Sequence, residues 1–569
     1  MPLLQFSDWR PDTSDYEGTS LHNILNVVPR GDGYGPFPSF AAYTSALVDI
    51  CRGGFYALKS DGSVVVFAAT KHGLYMLDNT TFTWKGVGVP AAVASISNAS
   101  PGIVTYTNDF VANEPVQFST TGTLPAPLTA ATTYYVSATG LSGSVFSVSA
   151  TVGGARINTT TGGSGTHSVT SHYLDVGSSA QWQFAQTGNL VFATQANVVL
   201  QVFDLSSSAT FVNALGSPPQ AAYISVVGRF LVLSGLLSLP YRIQWSGLNN
   251  FNASDSWTSG IKSSDFQDFP DGGIVRGVAG GEAGIIFQDQ AIRRMSYVPG
   301  SPIIFQIDRI TQDKGLFAPY SIIRAGELIF FYAGQGFYKI APGGVPEQIG
   351  REKVDRTFLL DLDKGNLQLF MGASDPRTTW VYWAYKSVSG IVGNYDKILG
   401  YDYLLDRFFT VSQTGEYLLG ISQTGLTLEN LDTISSSIDA LTLSLDSYAT
   451  AVQPQIAQFN SSHVLGFFSG APLEAMIESS EQGDDDIRVT LRGFRPITDS
   501  PDVRGSVTYR DTQALTSILG NEVAMSTRTG RCDMMRDARY IRYKVRIPAA
   551  TVWTYIVGVV PDVTTNGTN

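Results

Sequence analysis

The chain has 569 residues, of which 43% are hydrophobic and only 15% charged, and its formal net charge is −11. This excludes the polar, highly charged profile of a disordered protein, and 37 basic against 48 acidic residues argue against gripping a polyanion by counterion release. At ~150 residues per domain the length suggests about four units, or fewer if one is a large all-β domain.

The opening Met1-Pro-Leu-Leu-Gln-Phe-Ser-Asp8 carries no basic stretch followed by an apolar one, so a cytoplasmic product is expected. No run of about 18 apolar residues occurs, and stable membrane insertion through a helix is not expected. Cys51 and Cys532 lie far apart and predict neither a disulfide framework nor a metal cluster. Stability must then come from core burial, for which the chain is long enough.

From about residue 53 to 420, short runs of Val, Ile, Phe and Tyr alternate with Gly, Asn, Asp and Ser clusters, the pattern of strands and turns. The leading runs are Ser63–Thr70, Leu190–Thr194, Arg229–Ser234, Ala283–Gln288, Glu327–Tyr332 and Thr379–Ala384. Several are followed closely by a second, as at Gly73–Leu77, Gln290–Met295 and Gly336–Ile340. The pairs recur roughly every 40 to 50 residues, a period that β-propeller blades produce. The expectation is an all-β chain with a β-propeller of six or seven degenerate blades, its closure involving the N-terminal segment. A row of β-sandwiches is the alternative. The segments are read as 1–94, an N-terminal segment with the first propeller part, and 173–425, the main propeller.

Residues 95–172 break the pattern, being rich in Thr, Ser and Gly and nearly free of charge. Strands at Val104–Tyr106, Pro115–Phe118, Thr133–Val136 and Val145–Val148 predict a small antiparallel module inserted through a surface loop. The segment 426–462 is a connector. Within it Leu428, Leu431, Ile434, Ile438, Leu441 and Leu445 keep helical spacing, while the intervening Ser and Thr are weak helix formers, so a helix and an irregular link stand level. From 463 to 569 strands return at Ile487–Leu491, Gly505–Tyr509, Tyr540–Val545 and Thr551–Val557, predicting a C-terminal β-domain. Between 487 and 546 eleven Arg and one Lys face six acidic residues, a local charge of +6 against about −17 for the remainder.

Chemistry-bearing motifs are sparse. The five histidines, His22, His72, His167, His172 and His463, include no metal-ligand pair at i, i+4, and there is no H-E-x-x-H, C-x-x-C or G-x-S-x-G. His167 and His172 read as loop residues at the end of the insert. Ser60-Asp61-Gly62-Ser63 and Ser254-Asp255-Ser256-Trp257 read as turns. Asp484-Asp485-Asp486 could gather Ca²⁺, with a solvated loop as the simpler reading. No enzyme, cofactor or metal site is expected. The residues singled out are Arg488, Arg492, Arg495, Arg531, Arg539 and Arg542, read as an interface to an acidic neighbouring subunit, with nucleic-acid contact as the lesser alternative.

Several segments together resemble the tail nozzle (tail tubular) proteins of short-tailed bacteriophages. Asn26-Val-Val-Pro-Arg-Gly-Asp-Gly-Tyr-Gly-Pro-Phe-Pro-Ser39 is similar to their N-terminal signature. Phe287–Val298, Ile307–Ile310, Gly315–Pro319, Gly336–Tyr338 and Ile349–Arg356 follow the order of their propeller region, and Gly530-Arg531, Arg539–Tyr543, Ile547-Pro548 and Trp553 match their ending in style. Residues 101–170, through Val116–Phe118, Gly122–Pro125, Leu128–Ala130 and Thr133–Val136, resemble a small β-module common in phage tail proteins. The resemblance implies a structural virion protein: a homo-oligomeric ring of six, attached below the portal and adaptor. It would meet tail fibres or tail-tip proteins and enclose the path of genomic DNA without reading its sequence. Such a protein is assembled in the bacterial cytoplasm and ends in the virion tail. The rival is a tail propeller that binds or cleaves host glycans, marked by aromatic side chains such as Trp380 and Trp383 over a carboxylate pair.

Overall fold

The computed structural model describes all residues except 1–2, 15, 17, 89–91, 109, 111, 302, 423–453, 484–485 and 569. The helical spacing at 427–448 and most of the Asp484–Asp486 run therefore lie outside the described residues. The chain is all-β, with a single α-helix, Asp355–Asp361, among the described residues. It divides into two compact units, one built from 1–44, 314–423 and 451–569, the other from 45–313.

Among the described residues, seven sheets are four-stranded and antiparallel. In the 45–313 unit they span 53–86, 183–213, 221–268 and 275–311. In the other unit they span 323–348, 371–415 and a last sheet, ordered 417–422, 454–459, 464–472 and then 38–46. The apolar runs of the sequence become the second strands, such as Val64–Ala69, Phe230–Leu236 and Trp380–Tyr385. These central strands are almost wholly buried, as expected for runs covered on both faces. Within each unit the first strands of successive sheets lie against one another, as with 221–227 and 275–279, or 323–325 and 371–375.

The last of these sheets takes its fourth strand from the other end of the sequence. Tyr43 packs edge-on against Phe467 at 5.1 Å, and a Cβ at Gly466 would collide with the Ala41 carbonyl. Glycine is required there by close strand approach.

The insert is a seven-stranded sheet running from Ala92 to Ser171, with its own core around Val116, Phe118, Val136 and Phe146. Its first and last strands, Ala92–Ile96 and His167–Ser171, pair with each other. His167 is thus a strand residue and not a loop residue: it is buried, and Nδ1 lies 2.9 Å from the Thr120 hydroxyl. Thr120, opposite His167 on the neighbouring strand, supplies the hydrogen bond that a buried imidazole needs.

The C-terminal domain is a pair of sheets that also absorbs the N-terminus. One is ordered 27–29, 34–36, 556–568, 487–498, 532–538, with Leu4–Gln5 pairing on 556–568. The other is ordered 21–25, 475–479, 540–547, 504–510, 518–519. The final strand is Ile556–Thr568 and not the Thr551–Val557 expected from the sequence. Ala550, at φ 62°, ends a turn; Thr554 is then held by the Asp499 carboxylate, and pairing starts only at Ile556. Asn26, at φ 56°, ties this domain to the 371–415 sheet of the same unit. Its side chain accepts the Ser412 N–H at 2.8 Å and donates to the Glu474 carbonyl at 2.8 Å.

Candidate partner interface

The arginine-rich strands lie in the two facing sheets of the C-terminal domain. Phe494 and Tyr543 meet between them at 5.5 Å, and Gly505 sits where a Cβ would collide with Phe494 and the Cys532 sulfur. Long cationic side chains cannot enter so close a contact and are turned to edges and outer faces.

Most of them are consumed inside the domain. Arg488 lies 3.2 Å from both Asp511 and Asp537. Arg531 bridges Asp533 at 3.0 Å and Asp562 at 2.8 Å. Arg542, its side chain 11% exposed, stands 3.5 Å from Glu478 on the neighbouring strand. Arg539 is half-buried beside the turn into 540–547. Two arginines outside the predicted set behave alike: Arg510 pairs with buried Glu481, and Arg546 is clamped by Glu474 and Glu522, which raise its pKa, while the Arg546 guanidinium in turn depresses that of Glu522. The Arg488–Asp537 and Arg542–Glu478 pairs join neighbouring strands and help fix register.

Arg492 and Arg495 differ. Both are exposed, and neither side chain has an ion-pair partner among the described residues. Three positions apart on a regular strand, they would point to opposite faces. Against 556–568 the register shifts between Leu491 and Gly493, with Gly493 at φ 147°, so the strand carries an extra residue there and both arginines are turned outward. The Arg531 guanidinium donates to the Arg492 carbonyl at 3.3 Å, fixing the bulge. Arg528, also without an ion-pair partner among the described residues, stands exposed in the turn closed by Ser526 N–H to Arg531 O at 2.8 Å and Gly530 N–H to Ser526 O at 2.7 Å. Gly530 of that turn abuts the Arg495 side chain.

Of the six predicted residues, then, the structure leaves two free to meet an anionic surface and places Arg528 beside Arg495. The sequence signal for the pair is Arg492-Gly493-Phe494-Arg495, a glycine inside a strand, which marks a bulge. No cluster of three or more potential metal ligands occurs among the described residues. Burial lifts the Cys532 thiol to about 11, so it is inert at neutral pH.

No family model matches the chain, and no curated protein matches it. Solved structures give weak likenesses. The computationally designed Ika8 protein shares 9% identity, with 76% of this chain and 98% of that one covered, at a TM-score of 0.30. The extracellular domain of the hybrid two component system BT4673 from B. thetaiotaomicron shares 9%, covering 86% of this chain and 46% of that one, at 0.34. Hsv2 from Kluyvelomyces marxianus shares 8%, covering 65% and 99%, at 0.27. Scores this low do not establish a common fold.

Proposed function

We propose that the protein is a structural ring-forming component of a short bacteriophage tail, a nozzle that continues the DNA channel and helps retain and eject the genome. In this reading the seven four-stranded sheets are propeller blades, the last completed by residues 38–46, and about six copies join around a common axis. The portal and adaptor lie above, and fibres or tail-tip proteins bind outside.

The observation that carries the reading is the unpaired set Arg492, Arg495 and Arg528 in a domain whose other strand arginines are largely matched to carboxylates. Exposed guanidinium groups on a protein with a net charge of −11 suit head-to-tail contact with an acidic patch of the next copy. Closed rings use such heterologous interfaces, and complementary fields set their register. A largely anionic wall would let DNA slide without adhesion, within the short reach of screened charges.

Electron microscopy and mass photometry of the purified chain, at low and high salt, test this. The expected result is an open-centred ring that dissociates on raising salt and fails to form in the Arg492→Glu/Arg495→Glu variant, with circular dichroism unchanged. A monomer at tens of micromolar, or a bore of arginines clamped on duplex DNA, would overturn it.

A further inference from the structure

A cleft of about 720 Å³ opens between the insert and the 53–86 sheet, both in the 45–313 unit. Its volume is that of a ligand pocket, roughly 300–1,000 Å³, and its two walls differ in chemistry. One wall is aromatic: Tyr75 and Trp84 come from neighbouring strands of the 53–86 sheet, and Trp84 is half-buried with its indole N–H donating to the Ser45 carbonyl at 3.1 Å. That bond fixes the ring plane.

The other wall is a polar row. In the insert sheet Gln117 is in register with Thr133 on one side and Thr170 on the other, and all three line the cleft. The Gln117 amide donates to the Thr133 hydroxyl at 3.1 Å, and the row repeats at the ~4.8 Å strand spacing.

The floor carries polar groups with no partner. Among the described residues, the Tyr173 hydroxyl and His172 Nε2 find no hydrogen-bond partner, although both residues line the cleft and Tyr173 is 93% buried. Burial and the neighbouring His72 ring, 5.1 Å away, push His172 down to about 4, so it is neutral at pH 7. A buried group left unpaired costs roughly 1–3 kcal/mol, which a ligand hydroxyl would relieve. Among the described residues the lining includes Asp49 and no Lys or Arg, which disfavours phosphate, sulfate or carboxylate ligands.

We propose that this cleft binds a neutral saccharide, with the C–H face of a sugar ring on Trp84 and its hydroxyls on the Gln117 row and the Tyr173–His172 floor. An aromatic platform opposite a ladder of amide and hydroxyl groups matches the two faces of a pyranose, one apolar and one hydrogen-bonding. The inference does not depend on ring assembly.

The test uses the full chain and neutral trisaccharides of glucose, galactose, mannose and N-acetylglucosamine, followed by calorimetry and by saturation-transfer NMR. At least one should bind saturably, with Trp84→Ala abolishing binding. Tyr173→Phe, which keeps the buried ring, should weaken it about tenfold, the loss of one hydrogen bond. Absence of saturable binding by all four, affinity unchanged in both variants, or preference for a sulfated trisaccharide over its neutral parent would overturn the proposal.

Discussion

Asp355 → Asn should make part of this protein less sensitive to pH. Asp355 opens the only described α-helix and is 8% exposed, accepting the Phe337 N–H at 3.0 Å and the Gln348 amide at 2.8 Å. Burial lifts its pKa to about 6; the two hydrogen bonds oppose that rise, and the nearby Asp12 carboxylate adds to it. Between an unfolded value of about 3.9 and this folded value, the native state holds a proton that the unfolded chain has released. Stability from the site is therefore complete below pH ~4 and is lost as pH climbs through about 6. The shift of about two units corresponds to roughly 2–3 kcal/mol. Asparagine keeps an acceptor for the Phe337 N–H and cannot ionise, so the variant should gain about that much on wild type between pH 4 and 7. Native-state hydrogen exchange of the strand Phe337–Ile340 and the helix, at matched intrinsic rates, reads this difference locally. Parallel pH profiles for the two proteins, or a variant that loses ground as pH rises, would refute the reasoning.

Asp12 caps the same helix, accepting the N–H groups of Arg356 at 2.7 Å and Thr357 at 2.8 Å. Asp12→Ala should cost about 1–2 kcal/mol of local stability by the same exchange measurement, and should lower the Asp355 midpoint because a like charge is gone. Gly466→Ala forces a methyl group into the Ala41 carbonyl. It should destabilise the last four-stranded sheet by about 3 kcal/mol, seen as new proteolytic cleavage within residues 38–46.

What could be read in advance was local. The runs at Ser63–Thr70 and Glu327–Tyr332 each lie next to the strand they pair with, so alternation and turn residues sufficed to find them. Ile556–Thr568 escaped because Pro561, Asp562, Asn566 and Gly567 in it are poor strand formers; its pairing along 487–498 overrides propensity. A part for the N-terminal segment in closing the blades was expected, but not which strand it meets, because the partner of 38–46 lies more than four hundred positions away. Arginine content in the C-terminal domain was plain, but which arginines stay unpaired depends on cross-strand carboxylates and on one bulge at Gly493. The cleft was invisible for a similar reason: His72 and His172 meet only after the insert has folded back.

The union of residues 38–46 with 464–472 bears on how the molecule is made. A ribosome adding roughly 5–20 residues per second exposes the first of these segments for roughly 20 to 80 seconds before the second emerges. The sheets of the 45–313 unit can each form as they leave the exit tunnel, while that early strand waits with its hydrogen-bonding edge unmet. Such distant pairings are the slow steps of folding, so the waiting interval is when this chain is most exposed to trapping by chaperones or by its own sister chains.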